Sequence, residues 1–193
     1  MRTIKLPCNN DLRKQCIIDA MEQHVLTKGF HKASMSEIAK TAGLSVGQIY
    51  RYYAHKDDII CALVEQLTQK RLQFMSSFLD KKDWLKRHFS EESQETHNMR
   101  IMHTEIQAEA TRNPVIAKIY RESHIRLQKR AVVILTARYP EITEKEAIAR
   151  IEMLVTLAEG LLVRWDFQTR PFSKETYKIY HQTLNNILPD TFN

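Results

Sequence analysis

An all-α fold is predicted by three features of the 193-residue sequence. Apolar residues recur at spacings of three and four along most of its length, no stretch alternates convincingly as a strand would, and only four glycines and five prolines interrupt the pattern. The length suits one compact domain, or a small one attached to a larger one, and 43% hydrophobic residues suffice to bury a core. No run approaches the roughly 18 apolar residues of a membrane span. Residues 1–10 lack the apolar stretch of a secretory signal, so a cytoplasmic protein without a membrane partner is expected. Cys8, Cys16 and Cys61 have neither metal-site nor redox-pair spacing and are expected as reduced thiols.

The elements follow in order. Leu12, Cys16, Ile17, Ala20, Met21, His24 and Val25 form the stripe of a first helix ending at Gly29. Ser34 and Glu37 have capping-box spacing and open a second helix, with Ile38, Ala39 and Ala42 inward and a stop at Gly43. Ser45 with Gln48 is a second cap, opening a third helix from Val46 to about Tyr53 that buries Ile49 and Tyr53 on one face. Two short helices joined by a glycine-containing turn of about three residues are the signature of a helix-turn-helix unit.

Beyond this head the pattern predicts a helix over residues 56–79, about 36 Å long, a short helix over 84–89 and a polar connection over 91–94. A helix carrying Met99, Met102, Ile106 and Ala110 ends before Asn113-Pro114. Another, with Val115, Ile119, Leu127, Ala131 and Leu135, is stopped by Tyr139-Pro140. Two amphipathic helices, separated at Pro171, complete the chain. The reading is an N-terminal three-helix head over residues 1–56 and a larger helical ligand-binding and dimerisation domain over 57–193.

The net charge of +6 is unevenly divided. Residues 1–56 carry nine Lys and Arg against four Asp and Glu, whereas the remainder carries twenty against nineteen. A positive field concentrated on the head suits a surface that meets a polyanion. In the third helix, Gly47, Gln48 and Arg51 point away from Ile49. Arg51 has the fork of donors that matches guanine, Gln48 can pair with adenine, Gly47 keeps the helix start slim, and Val46 suits a thymine methyl. Tyr50 and Tyr52 lie toward the flanks, where a phenol donates to phosphate, and His55 and Lys56 begin the next helix. The candidate DNA contacts are Ser36, Ser45, Val46, Gly47, Gln48, Tyr50, Arg51, Tyr52, His55 and Lys56.

The stretch Ser36-Glu37-Ile38-Ala39-Lys40-Thr41-Ala42-Gly43-Leu44-Ser45-Val46-Gly47-Gln48-Ile49-Tyr50-Arg51-Tyr52-Tyr53, followed by Lys56, resembles the TetR family of bacterial transcriptional regulators. It has the family's Ile-Ala, Ala-Gly, Ser-x-Gly, aromatic cluster and Lys in the same order, and the likeness covers roughly residues 12–60. Tyr53 stands where the family usually has Phe, and His55 near its usual polar helix cap. The resemblance implies a homodimer that binds double-stranded operator DNA, usually as a repressor, and is released by a small ligand in its C-terminal domain.

In the body, Phe74, Phe78, Trp84, Met99, Met102, His103 and Trp165 suit an adaptable pocket for a small, mainly apolar or aromatic effector, a cationic one included. Glu105, Glu109 and Glu159 would counter such a cation if turned inward, although solvated positions are the ordinary state. The homodimer is expected through the last two helices, at Ile151, Leu154, Val155, Ala158, Leu161, Leu162, Tyr180, Leu184 and Ile187. His97 and His103, six apart, make a poor metal pair, and neither metal nor cofactor is assigned. With no nucleophile elbow, phosphate-binding glycine loop or metal-ligand pair, an enzyme is not expected. The alternative is a helical protein-interaction or sensor module that no longer binds DNA.

Overall fold

A computed structural model describes residues 10–80, 94–164 and 173–188, with all their side chains except those of residues 74, 76–80, 96 and 164. The described residues form eight helices and no strand: α1 (Asn10–Lys32), α2 (Met35–Thr41), α3 (Val46–Ile49), α4 (Lys56–Asp80), α5 (Gln94–Ala110), α6 (Pro114–Arg138), α7 (Glu144–Arg164) and α8 (Lys174–Ile187). Among these residues no helix is long and apolar enough to cross a membrane. The expected short helix over 84–89, the connection over 91–93 and Cys8 lie outside the described residues; Cys16 and Cys61 are free thiols.

Helix boundaries follow the local chemistry. The helical backbone of α1 breaks at Gly29, which takes φ 75° and ψ 167°, open in practice to glycine alone. Asn113 caps α6 by accepting from the Val115 and Ile116 amides, with Pro114 in the first turn. The α-helical part of α3 is shorter than expected, ending at Ile49. The amides of Arg51 and Tyr52 instead bond three residues back, to Gln48 and Ile49, at 3.1 and 3.0 Å. Both Tyr52 and Tyr53 pack on the head's core, and adjacent positions of a regular α-helix do not share one face.

One apolar cluster joins head to body. Ile17, Met21, Val25 and Phe30 of α1, Ile38 of α2, Ile49 of α3 and Ile59, Ile60 and Leu63 of α4 are buried together with Met102 and Ile106 of α5 and Ile116 of α6. Each such side chain contributes about 1.5–3 kcal/mol when fully buried, so packing is continuous across residue 56. A second cluster joins Ala131, Val132 and Leu135 of α6 to Ala147 and Ile151 of α7 and Ile187 of α8. The polar pair Thr68 and Ser123, 2.5 Å apart and buried, fixes α4 against α6.

The junction itself is polar. The Phe30 amide donates to Glu105 of α5 at 3.1 Å, and the Phe30 carbonyl accepts from the Lys56 ammonium at 3.0 Å. A Cβ at Gly29 would sit 2.9 Å from the Glu105 carboxylate, whereas one at Gly43 meets nothing within 4 Å. Gly29→Ala should therefore lower the unfolding free energy by about 1–3 kcal/mol from backbone strain, with a further loss as Glu105 is displaced. Gly43→Ala should lose less, and equal losses in chemical denaturation would show that the Glu105 contact adds nothing.

Candidate nucleic-acid interface

Two reciprocal caps set the head's short helices. Ser34 Oγ accepts from the Glu37 amide at 3.2 Å while the Glu37 carboxylate accepts from the Ser34 amide at 3.2 Å. Ser45 and Gln48 repeat the arrangement at 3.2 and 2.8 Å. Bonds from the Ser34 amide and hydroxyl, with Lys28 at 3.6 Å, hold the Glu37 carboxyl below its ordinary pKa. Ile38, Ala39 and Ile49 are buried beneath these helices, so one face of α3 is anchored and the other is free to meet a partner.

The structure divides the expected contact residues into three groups. Ser36, Ser45, Val46, Gly47, Tyr50 and Arg51 are exposed, with Val46 and Tyr50 44% and 52% accessible although large and apolar or aromatic. They form a surface that ends in a forked cation. Gln48 and Tyr52 are half-buried: the Gln48 oxygen is committed to the Ser45 amide, leaving its NH₂ to donate, and Tyr52 packs on the core. Two-ended pairing of Gln48 with adenine therefore requires opening the cap. His55 and Lys56 serve the fold as well: the His55 amide donates to Asp58 at 2.8 Å, supplying the helix cap its side chain lacks, and Lys56 holds the Phe30 carbonyl.

In the body, the side chains of Phe74 and Phe78, and all of Trp84 and Trp165, lie outside the described residues. Met99 is half-buried, Met102 is part of the head-to-body core, and His103 is 4% exposed and bonded through Nε2 to Glu159 at 3.2 Å. Glu105 is taken by the Phe30 amide and Glu109 pairs with Arg112 at 3.5 Å, so neither is the solvated group expected nor a spare counter-charge. An open groove of about 720 Å³ runs along α5 and α6, lined among others by Thr104, Gln107, Ala108, Tyr120, His124 and Val163. The Tyr120 and His124 rings are 4.3 Å apart, and His124 Nε2 is 3.9 Å from Glu159. Sequence reasoning missed Tyr120 and His124, whose only signal, polar groups within a helical stripe, is common.

Of the expected dimer residues, Ile151, Leu184 and Ile187 are enclosed in the subunit's own core, because α6, α7 and α8 pack on one another there. Leu154, Ala158, Leu161, Leu162 and Tyr180 are half-buried and Val155 is exposed. The most exposed apolar side chains on α7 and α8 are Met153, Val155, Val163, Tyr177 and Ile179.

Residues 17–63 match the sequence profile of the tetR family of bacterial regulatory proteins. The chain belongs to the tetR family. It is 27% identical over 112 residues to the HTH-type transcriptional regulator UidR of Escherichia coli K12, which spans 56% of this chain and 57% of UidR, little more than half of that relative. It is 33% identical over 66 residues to the fatty acid metabolism regulator protein of Bacillus subtilis, 34% of each chain. Its fold is shared with Salmonella enterica GusR, with a TM-score of 0.70 at 20% identity over 97% of this chain and 98% of that one. It is shared also with the multidrug binding protein EbrR, solved with ethidium, at 0.66 and 19% identity over 92% and 99%. As in the sequence expectation, the tetR-family head opens an all-helical chain.

The two cations of this tetR-family head have different structural roles, which stability measurements separate. Arg51→Ala should leave the unfolding free energy within about 0.5 kcal/mol of the parent, as at other exposed sites. Lys56→Ala should cost about 1 kcal/mol through the lost bond to Phe30. Equal midpoints in urea would contradict the assignment of Lys56 to the junction.

Proposed function

We propose that the protein is a homodimeric, sequence-specific DNA-binding transcriptional regulator of the cytoplasm, a repressor that leaves a palindromic operator when a small molecule occupies its body. The observation that carries this reading is the exposed face of α3, where Val46, Gly47 and Arg51 stand opposite the buried Ile49 in the segment with the chain's basic excess. An interaction module that had abandoned DNA has no need of a slim helix start beside a forked cation. In this reading Arg51 reads a base, Tyr50 and the hydroxyls of Ser36 and Ser45 meet the backbone, and Lys56 positions α4 while adding charge. Residues 1–56 act as the reading head and 57–193 as the effector-binding and dimerising part.

A recognition helix this short spans few base pairs, so useful specificity calls for a second half-site and a second subunit. The exposed apolar residues of α7 and α8 supply the contact, and the enclosed Ile151, Leu184 and Ile187 shape it from beneath. EbrR's complex with ethidium supports an effector in the body, mainly apolar or aromatic in its bulk. Release needs only differential binding: a tenfold loss of DNA affinity corresponds to about 1.4 kcal/mol. Glu105 offers the route, since a shift of α5 moves the carboxylate that holds the Phe30 amide.

Selection from random duplexes should enrich a two-fold symmetric site whose affinity falls steeply with salt as condensed counterions are released. Arg51→Ala should cost about 1–3 kcal/mol at that site and relax one base preference. Recovery of no symmetric sequence would remove the operator reading and leave the interaction-module alternative. Val155→Glu and Ile179→Glu, placed on exposed positions so that the subunit still folds, should sediment as monomers and lose affinity for the symmetric site. A parent protein that stays monomeric well above its DNA dissociation constant would exclude a preformed dimer.

A further inference from the structure

Four helices of the body contribute polar groups to one place. His103 of α5 bonds Glu159 of α7 at 3.2 Å, His124 of α6 lies 3.9 Å from the same carboxylate oxygen, and Tyr120 packs against the His124 ring. Arg71 of α4 follows Thr68 by one turn, and Thr68 is the residue bonded to α6 at Ser123, next to His124. A core built only for stability would carry apolar residues here. Instead the buried His103 Nδ1 and His124 Nε2 have no hydrogen-bond partner among the described residues, and a buried polar atom left unmatched is costly.

The charges do not cancel within the cluster. Glu159 is held below its ordinary pKa first by its bond from His103, with His124 and Arg71 adding to the effect. Arg71 has neither an ion pair nor a hydrogen bond among the described residues, and only the more distant Tyr120 and Glu159 act on its charge favourably. It retains solvent-accessible surface, yet the surrounding helices desolvate it strongly enough to lower its pKa. A guanidinium in that condition faces a walled, water-filled space instead of bulk solvent. Burial also pushes the His124 pKa down, with His103 and Arg71 adding to the fall, so the ring is neutral at ordinary pH and offers one donor and one acceptor.

We propose that this cluster is the effector's anchor and that the effector is a small organic anion, its carboxylate on the fork of Arg71 and its hydroxyl or carbonyl groups on His124 and Tyr120. The proposal rests on the reading of the body as effector-binding and replaces the cationic option with the opposite sign. Guanidinium and carboxylate match as a planar two-bond pair. Glu159, already engaged by His103, orients that histidine and has little left for a cation. The groove beside Tyr120 and His124, with Ala108, Ala117 and Val163 in its lining, accommodates an apolar remainder.

The test is a thermal-shift and calorimetric panel on the full chain. It comprises aromatic, aliphatic and hydroxylated carboxylates, the primary amide of each, and ethidium as a cation. At least one carboxylate should stabilise the protein and bind at least tenfold more tightly than its amide. Arg71→Gln should abolish that preference, and Arg71→Lys should restore it in part, with circular dichroism verifying that both variants fold. Carboxylates and amides that bind alike, binding by ethidium alone, no carboxylate bound at millimolar concentration, or an unchanged preference in folded Arg71→Gln would each overturn the anion site. The effect of the bound carboxylate on the operator complex is measured separately. A carboxylate that depends on Arg71 but leaves DNA affinity unchanged upholds the anion site and overturns effector release.

Discussion

The backbone of Phe30 is held from both sides by charge, and the relation of head to body depends on that grip. Its amide donates to Glu105 and its carbonyl accepts from Lys56, while its ring is 1% exposed in the core that α1 shares with α4 and α5. Bonds to charged groups are stronger than neutral ones and are directional, so they set an angle where apolar packing alone permits sliding. Gly29 makes the grip possible, because its backbone conformation turns the chain toward Glu105 and its missing Cβ leaves room for the carboxylate. The same contact gives the body a lever on the head.

The candidate reading surface is organised by economy at its helix starts. Ser34 with Glu37 and Ser45 with Gln48 satisfy the amides of two helices too short to be stable alone, and α3 persists because Ile49 is driven into the core. Those caps consume half of the hydrogen-bonding capacity of Gln48. Arg51, released by the tightened turn after Ile49, keeps its whole fork. The head thus separates groups that hold it together from groups it can offer to a partner, and Lys56 belongs largely with the first.

The body shows the opposite economy. Apolar packing holds α6, α7 and α8 together, but where α4, α5, α6 and α7 converge, the chain places Arg71, His103, His124 and Glu159 among buried carbon. Polar atoms left unmatched in such a place lower stability, and a ligand able to match them regains it. A stability cost of this kind is consistent with binding and has no evident role in folding.

The sequence by itself determined the helices, the two capping boxes, the breaks at Gly29 and before Pro114, and the exposed reading face, because these depend on residues within four positions of one another. Tertiary structure decided the rest. It shortened α3, since Tyr52 and Tyr53 both had to reach the core. It moved Ile151, Leu184 and Ile187 from an expected interface to the subunit's interior, since an apolar stripe does not say which helix will cover it. It assigned Lys56 and Glu105 to Phe30 and brought His103 to Glu159, contacts that span 26, 75 and 56 positions. Long polar side chains on separate helices carry no periodic signal of their partners, and only the packing of α1, α4, α5 and α7 brings them within reach.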